Sequence, residues 1–332
     1  MLHSILRTAI FLACCAIVAP VQAEIIYGLK SASDNGPSTL APAYLFNFSD
    51  TGGVTPTMIG AMTVDSVGID ADGLALSATY GLRGFMVGGT FAAPTSTLIG
   101  INATTAVANL LGTTYTSRSL RGAMFDRYNR LWAVDSVGNK LLRIDPLDGT
   151  IISEVALTSG GNAMNFFPAT DLAEMADGTT YLSVYDASAG PSLYTLDLST
   201  GVATLAFVDT ASDNDTLNTL LLYNSGLAAG SADTAGVLFA LDGDGYDDIF
   251  TYALPGFGRT EVASNILNPY NNFNAGGLDL ASLPNAVVPE PATLGVLALG
   301  FSGLLGVRRR RTIPIAPGPR ARNPSDSGSV TE

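Results

Sequence analysis

A strand–turn–strand unit recurs along the middle of this sequence and limits the folds open to the chain. Leu141–Gly149 and Leu193–Gly201 are its clearest copies, and each alternates apolar and polar residues, reaches an aspartate and then turns at a glycine. Apolar residues resume after each turn, which is typical of a β-hairpin with a tight turn. Residues 24–287 show little helical periodicity, so an all-β domain is predicted there.

Three weaker copies extend the repeat over most of the chain. The residues that end the first strand of each copy are Ser49, Asn102, Asp145, Asp197 and Asp242. Their separations of 53, 43, 52 and 45 residues fit one four-stranded blade per repeat. The pattern resembles β-propeller repeats, which implies a propeller of about five blades; a β-sandwich or an irregular β fold is the alternative.

The first repeat lacks an inner strand. Ile25–Leu29 and Ala43–Phe48 form one hairpin, and the strand that completes their blade is missing from that end of the domain. Gly277–Ala281, at the other end, has the composition of a strand and is expected to join them. Pairing of the two chain ends closes a ring and hides its edges.

The first 23 residues have the order of parts found in a secretory signal peptide. Arg7 supplies a positive charge, Thr8–Val18 is apolar, and Val21-Gln22-Ala23 offers small residues for cleavage. Signal peptidase is therefore expected to leave Glu24 as the first residue. A buried N-terminal helix is the alternative.

Loss of this leader limits the chemistry of the mature chain. His3, the only histidine, and Cys14 and Cys15, the only cysteines, leave with it; a lipoprotein signal at either cysteine fits the preceding residues poorly. Ser-His-Asp and Cys-His catalysis, disulfides and thiolate or imidazole zinc sites are then excluded. The net charge of −13 also argues against nucleic-acid binding. We predict that the protein is not an enzyme.

Three features follow one another near the C-terminus. Val288-Pro289-Glu290-Pro291-Ala292 leads into an apolar run, Ala292–Val307, which ends at Arg308, Arg309, Arg310 and Arg311. The run is predicted to be a transmembrane helix, about 24 Å long and slightly short for a bilayer, with its arginines in the cytoplasm.

Residues 288–311 resemble the PEP-CTERM sorting domain of Gram-negative bacteria. The resemblance implies that Pro289, Glu290 and Pro291 are recognised by an exosortase, a transpeptidase-like membrane enzyme, and it implies an exopolysaccharide or biofilm context. A plain membrane anchor is the alternative. Residues 312–332 continue beyond the point where the family usually ends, and their Pro, Ser and Gly content predicts a disordered tail.

One acidic loop has the residue pattern of a calcium site. The segment Asp242–Asp248 resembles the calcium loop of FG-GAP repeats, which implies carboxylate ligands from Asp242, Asp244 and Asp248 and a backbone carbonyl from Tyr246. Ca²⁺ takes six to eight oxygen ligands, and alternate loop residues can converge on it. Ala240 stands where the family has its first acidic ligand, so a polar hairpin turn is the alternative.

Arginine and tyrosine residues cluster around one predicted turn. Arg121, Arg127 and Tyr128 are the candidate ligand-binding residues, with Arg118 and Arg130 nearby. Arginine forks and aromatic rings suit acidic or neutral sugars. A solvated loop with ion pairs to Asp126 is the alternative.

The sequence thus predicts an exported protein of the surface or matrix, membrane-bound before exosortase processing, in a Gram-negative bacterium. Its propeller is expected to bind an exopolysaccharide or a matrix protein without catalysis. The alternatives are a propeller enzyme (lyase, lactonase or glycosidase) that uses carboxylates or Ca²⁺, and a passive structural component.

Overall fold

Short alternating apolar stretches form β-strands throughout the described part of the chain. The computed structural model describes residues 24–30, 42–51, 54–90, 92–164, 166–186, 190–209, 224–229, 236–242, 248–263 and 278–283. The chain divides into two compact units, residues 1–287 and 288–332, and every described residue belongs to the first. Within the described residues, no helix has the length and apolar character needed to span a bilayer. The predicted leader, transmembrane helix and C-terminal tail lie outside the described residues.

The first blade joins the two ends of the domain. Its strands are β1 (Ile25–Lys30), β2 (Tyr44–Ser49), β3 (Thr57–Ala61) and, from the far end, β25 (Leu278–Ala281). The sheet order is β25-β1-β2-β3, and β25 runs antiparallel to β1 with Tyr27 opposite Ala281. The predicted closing strand is therefore confirmed.

The other four blades follow in chain order. A small hairpin, β4 (Thr63–Val64) and β5 (Val67–Gly68), precedes blade 2. Blade 2 contains β6 (Ala71–Ser77), β7 (Gly81–Thr90), β8 (Ala93–Ile101), β9 (Ala108–Leu110) and β10 (Tyr115–Thr116). Blade 3 contains β11 (Leu120–Phe125), β12 (Leu131–Asp135), β13 (Lys140–Ile144) and β14 (Ile151–Ala156).

Blade 4 is widened by a short hairpin at its outer edge. It contains β15 (Thr158–Ser159), β16 (Asn162–Ala163), β17 (Phe166–Glu174), β18 (Thr180–Asp186), β19 (Gly190–Leu196) and β20 (Val202–Val208). Blade 5 contains β21 (Asn224–Ala229), β22 (Val237–Asp242), β23 (Asp248–Ala253) and β24 (Gly258–Ala263). The innermost strands β25, β6, β11, β17 and β21 contact one another in a closed ring, so the domain is a five-bladed propeller.

The two clearest repeat turns have the predicted geometry. The N–H of Gly149 donates to the Asp145 carbonyl at 2.9 Å, and that of Gly201 donates to the Asp197 carbonyl at 2.8 Å. Both glycines have positive φ, +75° and +72°, a conformation that glycine adopts without steric cost. The aspartate side chains also accept from the backbone two residues on, as in an Asx turn.

The alignment of Asp242 with Asp145 and Asp197 is wrong by one strand. Asp145 and Asp197 follow the third strands of their blades, whereas Asp242 ends β22, the second strand of blade 5. The third strand there is β23. Any strand that ends in a polar turn gives the same sequence pattern. The repeat length therefore predicted the number of blades, but it did not show which strand of the blade each matched residue follows.

The core consists of apolar layers between neighbouring blades. Trp132 and Leu141 of blade 3 pack in one cluster with Leu182 and Tyr194 of blade 4. Phe46 and Phe48 of blade 1 pack with Phe239 of blade 5 and with Leu280 of the closing strand. Because each layer needs residues from two blades, the blades stabilise one another.

Candidate functional site

A cavity of about 590 Å³ lies between blades 3 and 4, within the size range of ligand sites. We call it the 3–4 groove. Blade 3 contributes Arg127, Tyr128, Arg130, Trp132 and Arg143, and blade 4 contributes Glu174, Gly178, Thr180, Asp197 and Ser199. The groove therefore contains two of the three predicted ligand-binding residues, Arg127 and Tyr128.

Arg127 is held across the interface between the two blades. Its backbone N–H and its Nε both donate to the carboxylate of Glu174, and a terminal nitrogen donates to the Met175 carbonyl at 3.1 Å. A Cβ at Gly178 would lie 2.4 Å from this guanidinium, so glycine leaves the space that the arginine occupies. Arg127 thus forms part of the groove wall, with its charge neutralised by Glu174.

Asp126 organises the turn that carries Tyr128. It is buried, and its carboxylate accepts from the backbone N–H groups of Tyr128 and Arg130, from Arg130 Nε at 2.6 Å and from Trp132 Nε1 at 2.9 Å. The Arg130 guanidinium lies 4.8 Å from the centre of the Tyr128 ring. Tyr128 is nevertheless 68% exposed, so an aromatic surface in a fixed position faces solvent at the groove.

Arg143 is the guanidinium of the groove that the sequence prediction missed. It lies on β13, opposite Trp132 on one side and Ser153 on the other. Its Nε is buried and has no hydrogen-bond partner within the described part of the chain. A buried donor without a partner is unfavourable. Arg143 as a whole is half-buried and lines the groove, so the outer part of its guanidinium can meet a ligand. The alternation of Leu142, Arg143 and Ile144 already indicated an arginine on the face opposite two core residues.

The blade 4 wall supplies acceptors. Asp197 is exposed, and hydrogen bonds from the hydroxyl and backbone N–H of Ser199 lower the pKa of its carboxyl. It is therefore ionised at neutral pH. A donor on one wall, an ionised acceptor on the other and an exposed ring suit a ligand that carries both hydroxyl and carboxylate groups.

Arg121 lies outside this groove. It belongs to β11, and its guanidinium is 3.4 Å from the Asp72 carboxylate of the neighbouring inner strand. Arg118 pairs with Asp135 and Glu154 of its own blade. The structure therefore separates the sequence cluster into a groove part and an inner-strand part.

Three buried carboxyl groups meet near the inner strands. Asp72, Asp171 and Asp279 come from β6, β17 and β25, and each is almost fully buried. Asp279 accepts from the Leu74 N–H at 2.7 Å, and Asp171 accepts from the Leu280 N–H at 3.4 Å. These hydrogen bonds link the closing strand to blades 2 and 4.

Burial raises the pKa of two of these acids. The pKa of Asp72 rises to about 6, mainly by desolvation and against the pull of Arg121. Desolvation and then the nearby Asp171 raise the pKa of Asp279 well above its usual value. A cavity among the inner strands, lined in part by Phe125, Glu174 and Leu280, measures about 20 Å³, which holds one water and is far smaller than a substrate site.

The predicted calcium loop is described only at its ends. Asp242 and Asp248 are Cα partners in the ladder of β22 and β23, whereas Asp244 and Tyr246 lie outside the described residues. Among the described residues, no group of three or more acidic, histidine or cysteine side chains is placed to hold a metal ion. Calcium binding at this loop stays a prediction.

Several solved structures are distantly similar to this chain. TolB from Acinetobacter baumannii is 12% identical, with a TM-score of 0.41 over 83% of this chain and 70% of that one. Virginiamycin B lyase from Staphylococcus aureus is 14% identical, with a TM-score of 0.36 over 72% and 74%. Glutaminyl cyclase from Myxococcus xanthus is 15% identical, with a TM-score of 0.37 over 74% and 98%. At these values the likenesses carry no functional argument.

The C-terminal motif matches a family model directly. Residues 287–311 match the PEP-CTERM protein-sorting motif, and they include Pro289, Glu290, Pro291 and the four arginines that suggested it. No curated protein sequence matches the chain. The chain is therefore an exported protein with a PEP-CTERM sorting motif at residues 287–311, preceded in the sequence by a five-bladed β-propeller.

Proposed function

We propose that this exported propeller is a non-catalytic binding module that holds an exopolysaccharide in the 3–4 groove. The observation that carries the proposal is Arg143, whose buried Nε has no partner within the described residues although it lines a cavity of about 590 Å³. A planar guanidinium donates in pairs to a carboxylate, which a lysine cannot do. The favoured ligand is therefore a polysaccharide that contains uronic acid.

The rest of the groove supports the same ligand class. Tyr128 offers an exposed ring on which the apolar face of a sugar can stack. Asp197 offers an ionised acceptor for sugar hydroxyls. Arg127 and Arg130 are already paired with Glu174 and Asp126, so they shape the groove and leave Arg143 to select the charge of the ligand.

The setting of this activity follows from the sorting motif. We propose that an exosortase-type enzyme recognises Pro289-Glu290-Pro291 while the chain is held in the inner membrane of a Gram-negative bacterium. The processed protein then reaches the cell surface or the extracellular matrix. A surface polysaccharide is the partner that a binding module meets there.

The burial and ion pairing of the acidic side chains favour binding over catalysis. Asp72, Asp171 and Asp279 are buried and do not line the 3–4 groove. In the groove, Glu174 is occupied by Arg127. Among the described lining residues, Asp197 is then the groove carboxylate without an arginine partner, whereas glycoside hydrolysis needs two carboxyl groups at the substrate.

The test is binding of polygalacturonate and of neutral dextran to the processed protein, measured by isothermal titration calorimetry. We expect binding to polygalacturonate and much weaker binding to dextran. Arg143→Ala should weaken polygalacturonate binding about tenfold or more, because a hydrogen bond to a charged group is lost. Arg143→Lys should restore only part of it.

Lys140→Ala is the matched control. Lys140 lies on the same strand as Arg143, and its replacement also removes one positive charge. Lys140 itself pairs with Glu154 outside the groove. Equal losses of polygalacturonate affinity in the two alanine variants would mean that the polymer binds through nonspecific electrostatic attraction and not in the groove. No binding to either polymer by the wild type would overturn the function and favour a matrix-protein partner or a passive structural role.

We also propose Ca²⁺ binding by the loop between β22 and β23. Its ends, Asp242 and Asp248, are Cα partners in the ladder of β22 and β23, and Ca²⁺ takes six to eight oxygen ligands. Calorimetric titration should detect Ca²⁺ binding at millimolar concentration, and Asp244→Asn should weaken it. Unchanged affinity in that variant would place any bound Ca²⁺ elsewhere.

A further inference from the structure

The backbone nitrogen of Glu24 is held by a buried acid. It donates to Asp50 Oδ1 at 2.9 Å, and the Asp50 N–H returns a hydrogen bond to the Glu24 carbonyl at 3.1 Å. Asp50 is only 6% exposed. This reciprocal pair fixes the start of β1 against the end of β2.

The side chain of Glu24 reaches the other end of the domain. Its carboxylate accepts from the Leu283 N–H, two residues past the closing strand β25. Burial, with a smaller contribution from the Asp50 charge, raises the pKa of Glu24 to about 7, against the effect of the Leu283 hydrogen bond. Two carboxyl groups therefore lie together at the seam where the propeller closes.

Glu24 is also the residue that the leader sequence predicts as the first of the mature chain. Hydrolysis of the Ala23–Glu24 bond adds one water, so Ala23 leaves as a carboxylate and Glu24 keeps its nitrogen as an amine. An α-amino group has a pKa of about 7.7–8.0 and is mostly an ammonium at neutral pH. The cut thus converts a neutral N–H donor to Asp50 into a charged one.

We propose that the ammonium of Glu24 forms a structural ion pair with Asp50, so that removal of the leader completes the closure of the propeller. The proposal rests on the cut after Ala23 and is independent of what the 3–4 groove binds. A charge-assisted hydrogen bond is stronger than a neutral one, and the new positive charge offsets the repulsion between Glu24 and Asp50. Processing then stabilises the seam that joins β1 to β25.

The test is a double-mutant cycle on the chain from Glu24 to Glu332. One form begins at Glu24, and the other keeps Ala23, which moves the ammonium one residue away and leaves an amide N–H at Glu24. Each is made with Asp50 and with Asp50→Asn, and unfolding is followed by Trp132 fluorescence in mild detergent. With Asp50 present, we expect the extra Ala23 to raise the unfolding equilibrium constant about tenfold.

With Asp50→Asn, the same extension should change that constant less than about twofold, so the two changes are expected to be strongly non-additive. Equal effects in both backgrounds would overturn the proposal. If Asp50→Asn does not fold, titration of the ¹³C-methylated α-amine by NMR decides instead. A pKa above the usual 7.7–8.0 of an α-amino group supports the ion pair, and a value at or below it excludes the pair. A secreted protein whose mass shows a first residue other than Glu24 would overturn it too.

Discussion

At the scale of single residues, the contacts of a side chain depend on which strand end carries it. Arg121 and Arg127 are six residues apart in the sequence, but Arg121 lies at the start of β11 (Leu120–Phe125) and Arg127 lies beyond its end. Six extended residues span about 20 Å, so Arg121 meets Asp72 at one end of the strand and Arg127 meets Glu174 beyond the other. Closeness in sequence therefore does not make one site of them.

The buried acids make a prediction about pH. The pKa of Asp72 is raised to about 6 and that of Asp279 is raised as well, so the fold binds more protons than the unfolded chain above about pH 4. The free energy of unfolding should therefore fall as the pH rises. Asp72 alone contributes a fall of about 3 kcal/mol between about pH 4 and pH 7, roughly half of which lies above pH 5. Denaturant unfolding at pH 5, 6, 7 and 8, followed by Trp132 fluorescence, measures this trend.

Asp279→Asn should make the decline with pH smaller. Asparagine keeps an oxygen for the Leu74 N–H and can donate to Asp171, while it removes one titrating group. Asp148→Asn is the control, because Asp148 is exposed and its pKa is lowered by its hydrogen bonds to Thr150. The idea fails if wild-type stability is flat or rises from pH 5 to 8, or if the two variants behave alike.

At the scale of elements, hairpins were predictable because their signals are local. The signal for each turn is an alternation of apolar and polar residues, followed by an aspartate and then by a glycine with positive φ, Gly149 or Gly201. These features together specify the turn within nine residues. The same local character explains why Asp242 was aligned with the wrong strand of its blade, because the second and third strands of a blade both end in a polar turn. Long-range pairing, here of β22 with β21, decides which strand it is.

The closing strand gives a prediction at this scale. Leu280 of β25 is fully buried among Ile26, Phe46 and Phe239, so Leu280→Ala should lower the free energy of unfolding by about 2–5 kcal/mol. Leu147→Ala is the control: Leu147 is 64% exposed, and its change should stay within about 0.5 kcal/mol.

The same variant tests whether the blades unfold together. Trp132 lies in blade 3, away from the seam, yet its fluorescence transition should shift to lower denaturant as far as the circular dichroism transition does. An unshifted Trp132 transition in Leu280→Ala would show that blade 3 unfolds independently of the closing strand.

At the scale of the whole molecule, the propeller closes a few residues before the sorting motif begins. β25 ends at Ala281 and the motif starts at residue 287, so the segment that completes the fold directly precedes the segment that directs sorting. A cut upstream of Leu278 would remove the closing strand and open the ring. We therefore expect sorting to spare the chain up to Leu283.

Replacement of Pro289-Glu290-Pro291 by three alanines should block processing, because the recognition element is lost while the apolar run remains. In the native host, the variant should stay full-length and in the membrane fraction, as judged by fractionation and intact mass. Replacement of Pro317-Gly318-Pro319 by alanines, beyond the motif, is the control and should be processed normally. Unchanged processing of the first variant would contradict the assigned role of these residues.

The sequence by itself determined the all-β class, the five-fold repeat, the pairing of the chain ends and the sorting motif, because each depends on local periodicity or on a contiguous pattern. Only the tertiary structure decided which arginines share a groove, that Arg143 is among them, and that Asp72, Asp171 and Asp279 meet near the inner strands. The three acids come from different blades, and the groove joins arginines of blade 3 to acidic residues of blade 4. Their contacts and burial arise only when the ring closes and excludes water. The same reason makes the partnership of Glu24, Asp50 and Leu283 invisible in the sequence, since it joins residues up to 259 positions apart.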